Sequence, residues 1–508
     1  MSLTSNSLTN RSLTGMSLTG RIGAIFVVTA LVRLAFYYLT GFTADDAFIT
    51  FRYADNIASG LGFVYNAGQP VQGTTTPLFT YLMSLLRLIG LPPVTAALFL
   101  SSIASGATAV VIYKFALSLR FTRWAILPVV FYMLWPRSLP AETSGMETAL
   151  FTLFVTAAFY CRHRGLDIYA VGMATLASVT RPEGLIVLVL VVAANIYHNR
   201  RKWLAYVVIP LMILGPWLVF AQLYFGSILP NSVPAKLALY SRWGTMSIWD
   251  TFVYLMAWHN TVGMVTTLAV IIGVWWLHKK QNFGYLELFW MVTMIVFYTF
   301  NSSHIFFWYI ASIYPIYLLF AAAAVVFAAE RFAASAERDK LWRMIVIPLA
   351  VIALLFGCWK PVNYYKDWQR AQEATHRTIG VFLSAAAMPG DMVAAEDIGY
   401  MGYYSRLRVL DRDGLVSPET IPYNSSGDYY GLIRDFRPDW VVASTDSPIS
   451  AFVADSAFIA DYRTRISCTY KDSEYRLYQR RDYKATHGLS DEIPDEMPDE
   501  SQSAPALN

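Results

Sequence analysis

The sequence predicts an α-helical, multi-pass membrane protein with about eleven transmembrane helices and a small C-terminal α/β domain outside the membrane. Three observations lead there. The 508 residues are 56% hydrophobic and 15% charged, whereas soluble domains carry about a quarter charged residues. The apolar residues fall in long runs, with a mean hydropathy of +0.41. After Trp359 the composition turns mixed polar, and short strand-like runs replace the apolar spans. Aromatic residues suit interfacial belts and a carbohydrate-facing surface. A net charge of +4 gives no case for a nucleic-acid partner. Cys161, Cys358 and Cys468 lie far apart in sequence, without metal-ligand spacing or a disulfide framework.

Residues 1–20 repeat Ser-Leu-Thr four times and are expected to be disordered. The first span, about 22–41, is too long for the apolar core of a cleavable signal peptide. It carries Arg33 near its middle, which should face protein or a water-filled cavity. Residues 42–92 form a polar-aromatic first external loop, whose stretch 77–90 is short enough for a helix lying along the interface. Further spans are expected at about 94–113, 124–140, 147–161, 168–180, 184–198, 203–225, 251–276, 284–301, 305–328 and 344–358. With the N-terminus cytoplasmic, the basic loops 114–123, 162–164, 198–202, 278–280 and 331–343 all fall inside, as the positive-inside rule requires. Asp45, Asp46, Glu142, Glu147, Arg181, Glu183, Lys236 and His304 then gather on the outer side.

Residues 21–359 thus read as the membrane domain. Residues 360–482 read as an extracytoplasmic α/β domain, with a helix over 363–383, strands at 391–396, 407–410 and 440–443, and a closing hairpin over 461–480. The acidic tail 483–508 reads as disordered.

The outer face carries the chemistry. Asp45 and Asp46 are adjacent carboxylates at a membrane rim, an expensive placement without a task. Helical steps align Asp45 with Ile49, Arg52 and Asn56, and Asp46 with Thr50 and Tyr53. The ordinary reading is a helix start with a solvated turn. The functional reading is a general base, with Arg52 holding it or a phosphate. Glu147 either favours a helix N-terminus or joins the site. Arg181 and Glu183 form a paired turn or a substrate contact. Lys236, beyond the proline-stiffened Leu229-Pro230-Asn231, snorkels or clamps a phosphate. His304, Trp308, Tyr309 and Tyr65 are interface residues or sugar and lipid contacts. A carboxylate base, cations and aromatics at an outer rim suit attack by an acceptor hydroxyl on a sugar carried by a lipid phosphate.

The motifs are more specific together than singly. They are Asp45-Asp46-Ala47-Phe48-Ile49, Arg52-Tyr53-Ala54-x-Asn56, Gly60-x-Gly62-x-Val64-Tyr65-Asn66-x-Gly68 and Gly73-Thr74-x-x-Pro77-Leu78. Ser144-Gly145-Met146-Glu147-Thr148, Arg181-Pro182-Glu183-Gly184, Leu229-Pro230-Asn231-Ser232-x-x-x-Lys236 and Glu396-Asp397-Ile398-Gly399-Tyr400, with Asp411-x-x-Gly414-Leu415, follow. Together they resemble the C-type (GT-C) glycosyltransferase superfamily, in the branch of mycobacterial terminal arabinofuranosyltransferases. The resemblance implies a polyprenyl-phosphate sugar donor, a cell-envelope glycan or glycolipid acceptor, a bacterial inner membrane, and Asp45 or Asp46 as base, with Asp45 the first choice. It implies no required cofactor, although two adjacent carboxylates could bind a divalent ion. A flippase of lipid-linked sugars would instead show inverted repeats, and none is evident between the two halves. A glycan polymerase would reuse the same chemistry.

Overall fold

The computed structural model describes residues 17–243, 247, 260–301, 306–332, 335–445, 447–471 and 473–483. Its helical part opens with α1 (Leu18–Thr40), α2 (Asp45–Ala58), α3 (Pro77–Leu88) and α4 (Pro93–Ser118). It continues with α5 (Leu127–Met133), α6 (Ser138–Thr143), α7 (Thr148–His163), α8 (Asp167–Thr180), α9 (Gly184–His198), α10 (Trp203–Phe225) and α11 (Ser232–Trp243). After these come α12 (Asn260–Gln281), α13 (Tyr285–Asn301), α14 (Tyr314–Phe332) and the 37-residue α15 (Ala336–Gln372).

Among the described residues, five stretches are long and apolar enough to cross a membrane: Leu18–Thr40, Pro93–Ser118, Arg200–Phe225, Ala311–Phe332 and Glu337–Ala386. Several other expected spans form shorter helices of 14 to 17 residues. Leu211, Met212 and Leu223 on α10, and Leu349 and Phe356 on α15, face outward, as lipid-facing positions should. α3 is 12 residues long and buries Phe79 and Met83 on one side while Tyr81, Leu85 and Leu88 stay exposed. That is the amphipathic form expected of an interfacial helix.

The span expected over 124–140 differs most. It breaks into α5 and α6, with Pro136 between them. The break frees carbonyls at the end of α5, and Arg33 uses them. Its Nη1 donates to Met133 O (2.7 Å) and its Nε to Glu142 Oε2 (2.9 Å). Glu142 also accepts from the Ser105 hydroxyl (2.7 Å) and from Tyr132 (2.9 Å to the same oxygen). Arg33 and Glu142 are fully buried. Glu142, expected at the outer rim, therefore sits inside the bundle as the counter-ion of a mid-helix arginine, and Arg33 faces protein as its cost in lipid demands.

No break occurs at 359/360, where the sequence changes composition. α15 runs through that point and continues by a π-helical turn (Glu373–Arg377) into α16 (Thr378–Ala386). The strands form where the short runs lie: β1 (Met392–Ala395), β2 (Arg408–Asp411), β3 (Trp440–Ser444) and the hairpin β4 (Tyr462–Tyr470) and β5 (Ser473–Arg480). The sheet order is β2-β1-β3-β5-β4. β1 pairs in parallel with β2 and β3, and β5 pairs antiparallel with β3 and β4. Trp440, Val442 and Leu477 pack with Ile379 and Leu383 on one face. Val441, Ala443 and Tyr478 pack with Leu432 and Phe458 on the other. Between β1 and β2, α17 (Gly399–Ser405) lies against α2.

Candidate active site

The site begins where α2 begins. Two acidic residues occupy the first helical turn, where the unpaired amides and the helix dipole favour negative charge. The chain reaches this start through the Ala44 N–H, which donates to Ser144 O (2.9 Å). Gly145, at φ +85°, lets the Ser144-Gly145-Met146-Glu147 turn approach so closely that a Cβ would lie 3.0–3.1 Å from Thr43, Ala47 and Phe51.

The two aspartates have different surroundings. Asp45 is committed to the α/β domain. Its Oδ2 accepts from the Gly399 N–H and its Oδ1 from the Tyr400 N–H, each at 2.8 Å. It thereby caps α17 from outside the helix. A Cβ on Gly399 would overlap the Asp45 carbonyl oxygen, so glycine is required there. Burial pushes the Asp45 carboxyl up to about 6, against the pull of His376, with Asp397 adding to the rise.

Asp46 is exposed and accepts no hydrogen bond among the described residues. Solvent reaches it, yet protein surrounds it, so it stands in a cleft. Desolvation raises its pKa and Asp397 adds to that, while Lys236 and Arg181 pull it down.

Beside Asp46 the structure brings together Glu147, Arg181, Glu183, Lys236 and Tyr309. Arg181 follows α8 and Glu183 precedes α9. Arg181 donates from Nη1 to Glu147 (2.9 Å), and from Nη2 and Nε to Glu183 (3.1 and 3.3 Å). Tyr298 donates to Glu183 Oε1 (2.7 Å). Burial alone would raise Glu183, but Arg181 and these hydrogen bonds hold it at about 2. Glu147 is raised by burial, with Arg181 opposing. Tyr309 stacks on Tyr298 at 5.0 Å, and its ring faces both Arg181 (5.4 Å) and Lys236 (5.6 Å). Lys236 donates to the Tyr309 hydroxyl (3.2 Å). Its helix, α11, is anchored by Asn231, whose side chain donates to Gly414 O and Leu415 O and whose N–H donates to Gln72 O. One loop therefore ties Lys236 to both the first external loop and the α/β domain.

Other predicted residues lie elsewhere. Arg52 does not face the cleft. It donates to Tyr65 O (2.9 Å), Gly402 O (2.7 Å), Leu407 O (2.7 Å) and Asn66 Oδ1 (3.5 Å), and lies 4.2 Å over the Tyr65 ring. Tyr65 is buried, and its hydroxyl donates to Ile398 O (2.6 Å). Both residues lock the loop and α2 to the α/β domain, with four of the five guanidinium N–H groups of Arg52 engaged there. Asn56, on the same face as Arg52, donates to Val64 O and Tyr65 O. Trp308 packs in the aromatic core against Phe306 and Phe307. His304 lies outside the described residues.

The α/β domain adds groups that sequence reasoning did not single out as a set. Asp397 accepts from Tyr475 (2.8 Å) and pairs with His376 (3.2 Å). Glu396 pairs with the buried Arg412 and accepts from Ser447 (3.2 Å). The Glu396-Asp397 motif was visible in the sequence. His376 was not, because nothing in its own stretch marks it. Among the described residues no group of three or more His, Cys, Asp or Glu forms a cation-binding set.

A model of a domain of unknown function (DUF8728) matches residues 363–487. The terminal β-(1→2)-arabinofuranosyltransferase of Mycobacterium tuberculosis (strain ATCC 25618 / H37Rv) is 26% identical over 231 residues, 39% of this chain and 36% of the relative. The match thus spans little more than a third of that relative's length. Among solved structures, ArnT from Cupriavidus metallidurans bound to undecaprenyl phosphate superposes with a TM-score of 0.59 at 13% identity, covering 91% of this chain and 98% of that one. The Archaeoglobus fulgidus oligosaccharyltransferase AglB, in complex with an inhibitory peptide and a dolichol-phosphate, gives 0.54 at 10% identity, covering 84% and 69%. At such identities the likeness is one of fold. The chain is an integral membrane protein with the C-type glycosyltransferase fold, and in sequence it resembles a mycobacterial terminal arabinofuranosyltransferase.

Proposed function

We propose that the chain is an inverting glycosyltransferase that moves a sugar from a polyprenyl-phosphate donor to a cell-envelope glycan or glycolipid. The reaction runs at the outer face of a bacterial inner membrane, with the N-terminus cytoplasmic and the domain over residues 360–482 outside. Asp46 is the general base. The observation that carries this reading is the unengaged Asp46 carboxylate, standing in a cleft within the field of Lys236 and Arg181. Asp45, both of whose oxygens already hold backbone amides, positions the turn on which Asp46 stands.

In the step, an acceptor hydroxyl oxygen attacks the anomeric carbon as the bond from that carbon to the phosphate oxygen breaks on the opposite face. The hydroxyl proton passes to Asp46. The electron pair leaves with polyprenyl phosphate, which gains one negative charge. Lys236 and Arg181 therefore interact more strongly with the departing phosphate than with the bound donor, the condition under which binding energy accelerates a step. Glu147 and Glu183 fix Arg181 and offset part of its charge, so Lys236 provides the larger share. The relative's name favours arabinofuranose as the sugar. The test uses the purified chain in liposomes with polyprenyl-phosphate arabinofuranose and an arabinan acceptor, reading the anomeric configuration of the product by NMR. An inverted linkage is expected. A retained configuration, or movement of intact donor across the bilayer without transfer, refutes the reading.

A further inference from the structure

His376 sits in the π-helical turn between α15 and α16, nearly buried, on the domain side of the aspartate pair. Such turns inside α-helices frequently mark functional positions. Its protonation follows from counting hydrogens. The Thr375 hydroxyl has one proton, and it donates that proton to Ala371 O at 2.7 Å. His376 Nδ1 lies 2.8 Å from the same hydroxyl oxygen, so Nδ1 must be the donor there. On the other side of the ring, Nε2 faces Asp397 Oδ2 at 3.2 Å, and that oxygen already accepts from Tyr475. A bare nitrogen lone pair against a carboxylate would be repulsive, so a proton lies between them. The imidazole is the stronger base of the two and holds it. The geometry therefore assigns His376 as an imidazolium.

We infer that His376 is a positioning residue, whose positive charge holds Asp397 and Asp45 together as anions and so keeps the start of α2, and with it Asp46, seated on α17. The inference rests on the transfer reaction proposed above. Without that charge, Asp45, Asp397 and Glu396 would repel one another in a poorly solvated space, and the Asp45 cap on Gly399 and Tyr400 would loosen.

The groups around the ring come from every element packed against it. Asp45 comes from α2, and Glu396 and Asp397 from the turn after β1. Tyr475 comes from β5, its ring 4.5 Å from the imidazole, with Cys468 of β4 as its cross-strand partner. Tyr400 and Tyr404 come from α17. Within the turn itself, Glu373 and Arg377 pair with each other (2.9 Å). Burial lowers the His376 pKa, but Asp397, Asp45 and Glu396 more than offset this, and the net direction is upward.

A histidine raised in the fold contributes stability that is complete below its unfolded pKa and is lost as pH rises through its folded value. The experiment compares the full-length wild type with His376→Gln and His376→Lys between pH 5.5 and 9.5. It measures both transfer kinetics and unfolding temperature. Wild-type kcat is expected to fall on the alkaline side. His376→Gln should lose about tenfold or more in kcat with little change in donor KM, and should lack that alkaline limb. His376→Lys, which keeps the charge, should restore kcat and move the limb upward. The unfolding temperature of the wild type should decline over the same alkaline range, and that of His376→Gln should not. If His376→Gln keeps the wild-type alkaline limb, or if the two stability profiles run parallel, the inference is wrong. A wild type that transfers nothing at any pH defeats the transferase reading instead, while the stability profiles still decide the charge on His376.

Discussion

Glu183→Gln tests the electrostatics of the cleft with a magnitude taken from the structure. Glu183 accepts two hydrogen bonds from Arg181 and one from Tyr298, and it is held at about 2 instead of 4.5. A depressed carboxyl contributes stability that is present above its unfolded pKa and is lost as pH falls through the folded value. The depression corresponds to about 3 kcal/mol. About 2 kcal/mol of it should be gone by pH 3. Glutamine keeps one acceptor for Tyr298 or Arg181 but no charge. The assay is reversible unfolding of both proteins in the same detergent micelles, followed by tryptophan fluorescence from pH 6 to pH 3. The wild type should exceed the variant by about 3 kcal/mol at pH 6, with the difference shrinking to roughly 1 kcal/mol at pH 3. Carboxylates common to both proteins cancel in the comparison. A difference that stays constant with pH would refute the claim that Arg181 holds Glu183 ionised.

Three further outcomes are expected. Gly399→Ala should force α2 away from α17, costing about 1–3 kcal/mol and lowering transfer at least tenfold. A variant with wild-type transfer and unfolding temperature would show that this contact is not needed. Arg33→Met should destabilise by about 3–5 kcal/mol because Glu142 is left buried without a counter-ion. The double variant Arg33→Met/Glu142→Gln should recover most of the loss in the same unfolding assay. Lys236→Met should lower kcat/KM for the lipid-linked donor by about 10- to 100-fold, the range of one hydrogen bond to a charged group, with Lys236→Arg retaining more than Lys236→Met.

Much of the fold was legible because its signals are local. Short runs between turn signals marked β1, β2 and β3, which are buried almost throughout, alternation marked the closing hairpin, and long apolar runs marked the long helices. The span over 124–140 was misread as continuous because its hydropathy is continuous. Pro136 lies in the break, and Arg33 takes the Met133 carbonyl that the break leaves open. The change of composition near 359 marks where the chain leaves its apolar stretch, not where its helix ends. The site was legible as residue types, and the turn carrying Arg181 and Glu183 brings the two side chains together at 3.1 Å. Its assembly was not legible, because the contacts that decide it cross long separations. Asp45 meets Gly399 across 354 positions, and Arg52 meets Leu407 across 355. Those contacts distinguish the two aspartates: Asp45 holds two backbone amides, and Asp46 accepts no hydrogen bond among the described residues. They also take Arg52 and Tyr65 out of the cleft, although both looked equally available from sequence.

The most direct measurement compares sugar transfer by Asp46→Asn and Asp45→Asn with the wild type, at equal abundance in membranes supplied with polyprenyl-phosphate arabinofuranose and acceptor. Loss of a general base costs about 10²- to 10⁴-fold. Asp46→Asn is expected to fall into that range with its unfolding temperature unchanged. Asp45→Asn should lose less activity and some stability, since an amide can accept only one of the Gly399 and Tyr400 hydrogen bonds. Full transfer by Asp46→Asn, with transfer abolished in a stable Asp45→Asn, would contradict the account and return the base to Asp45.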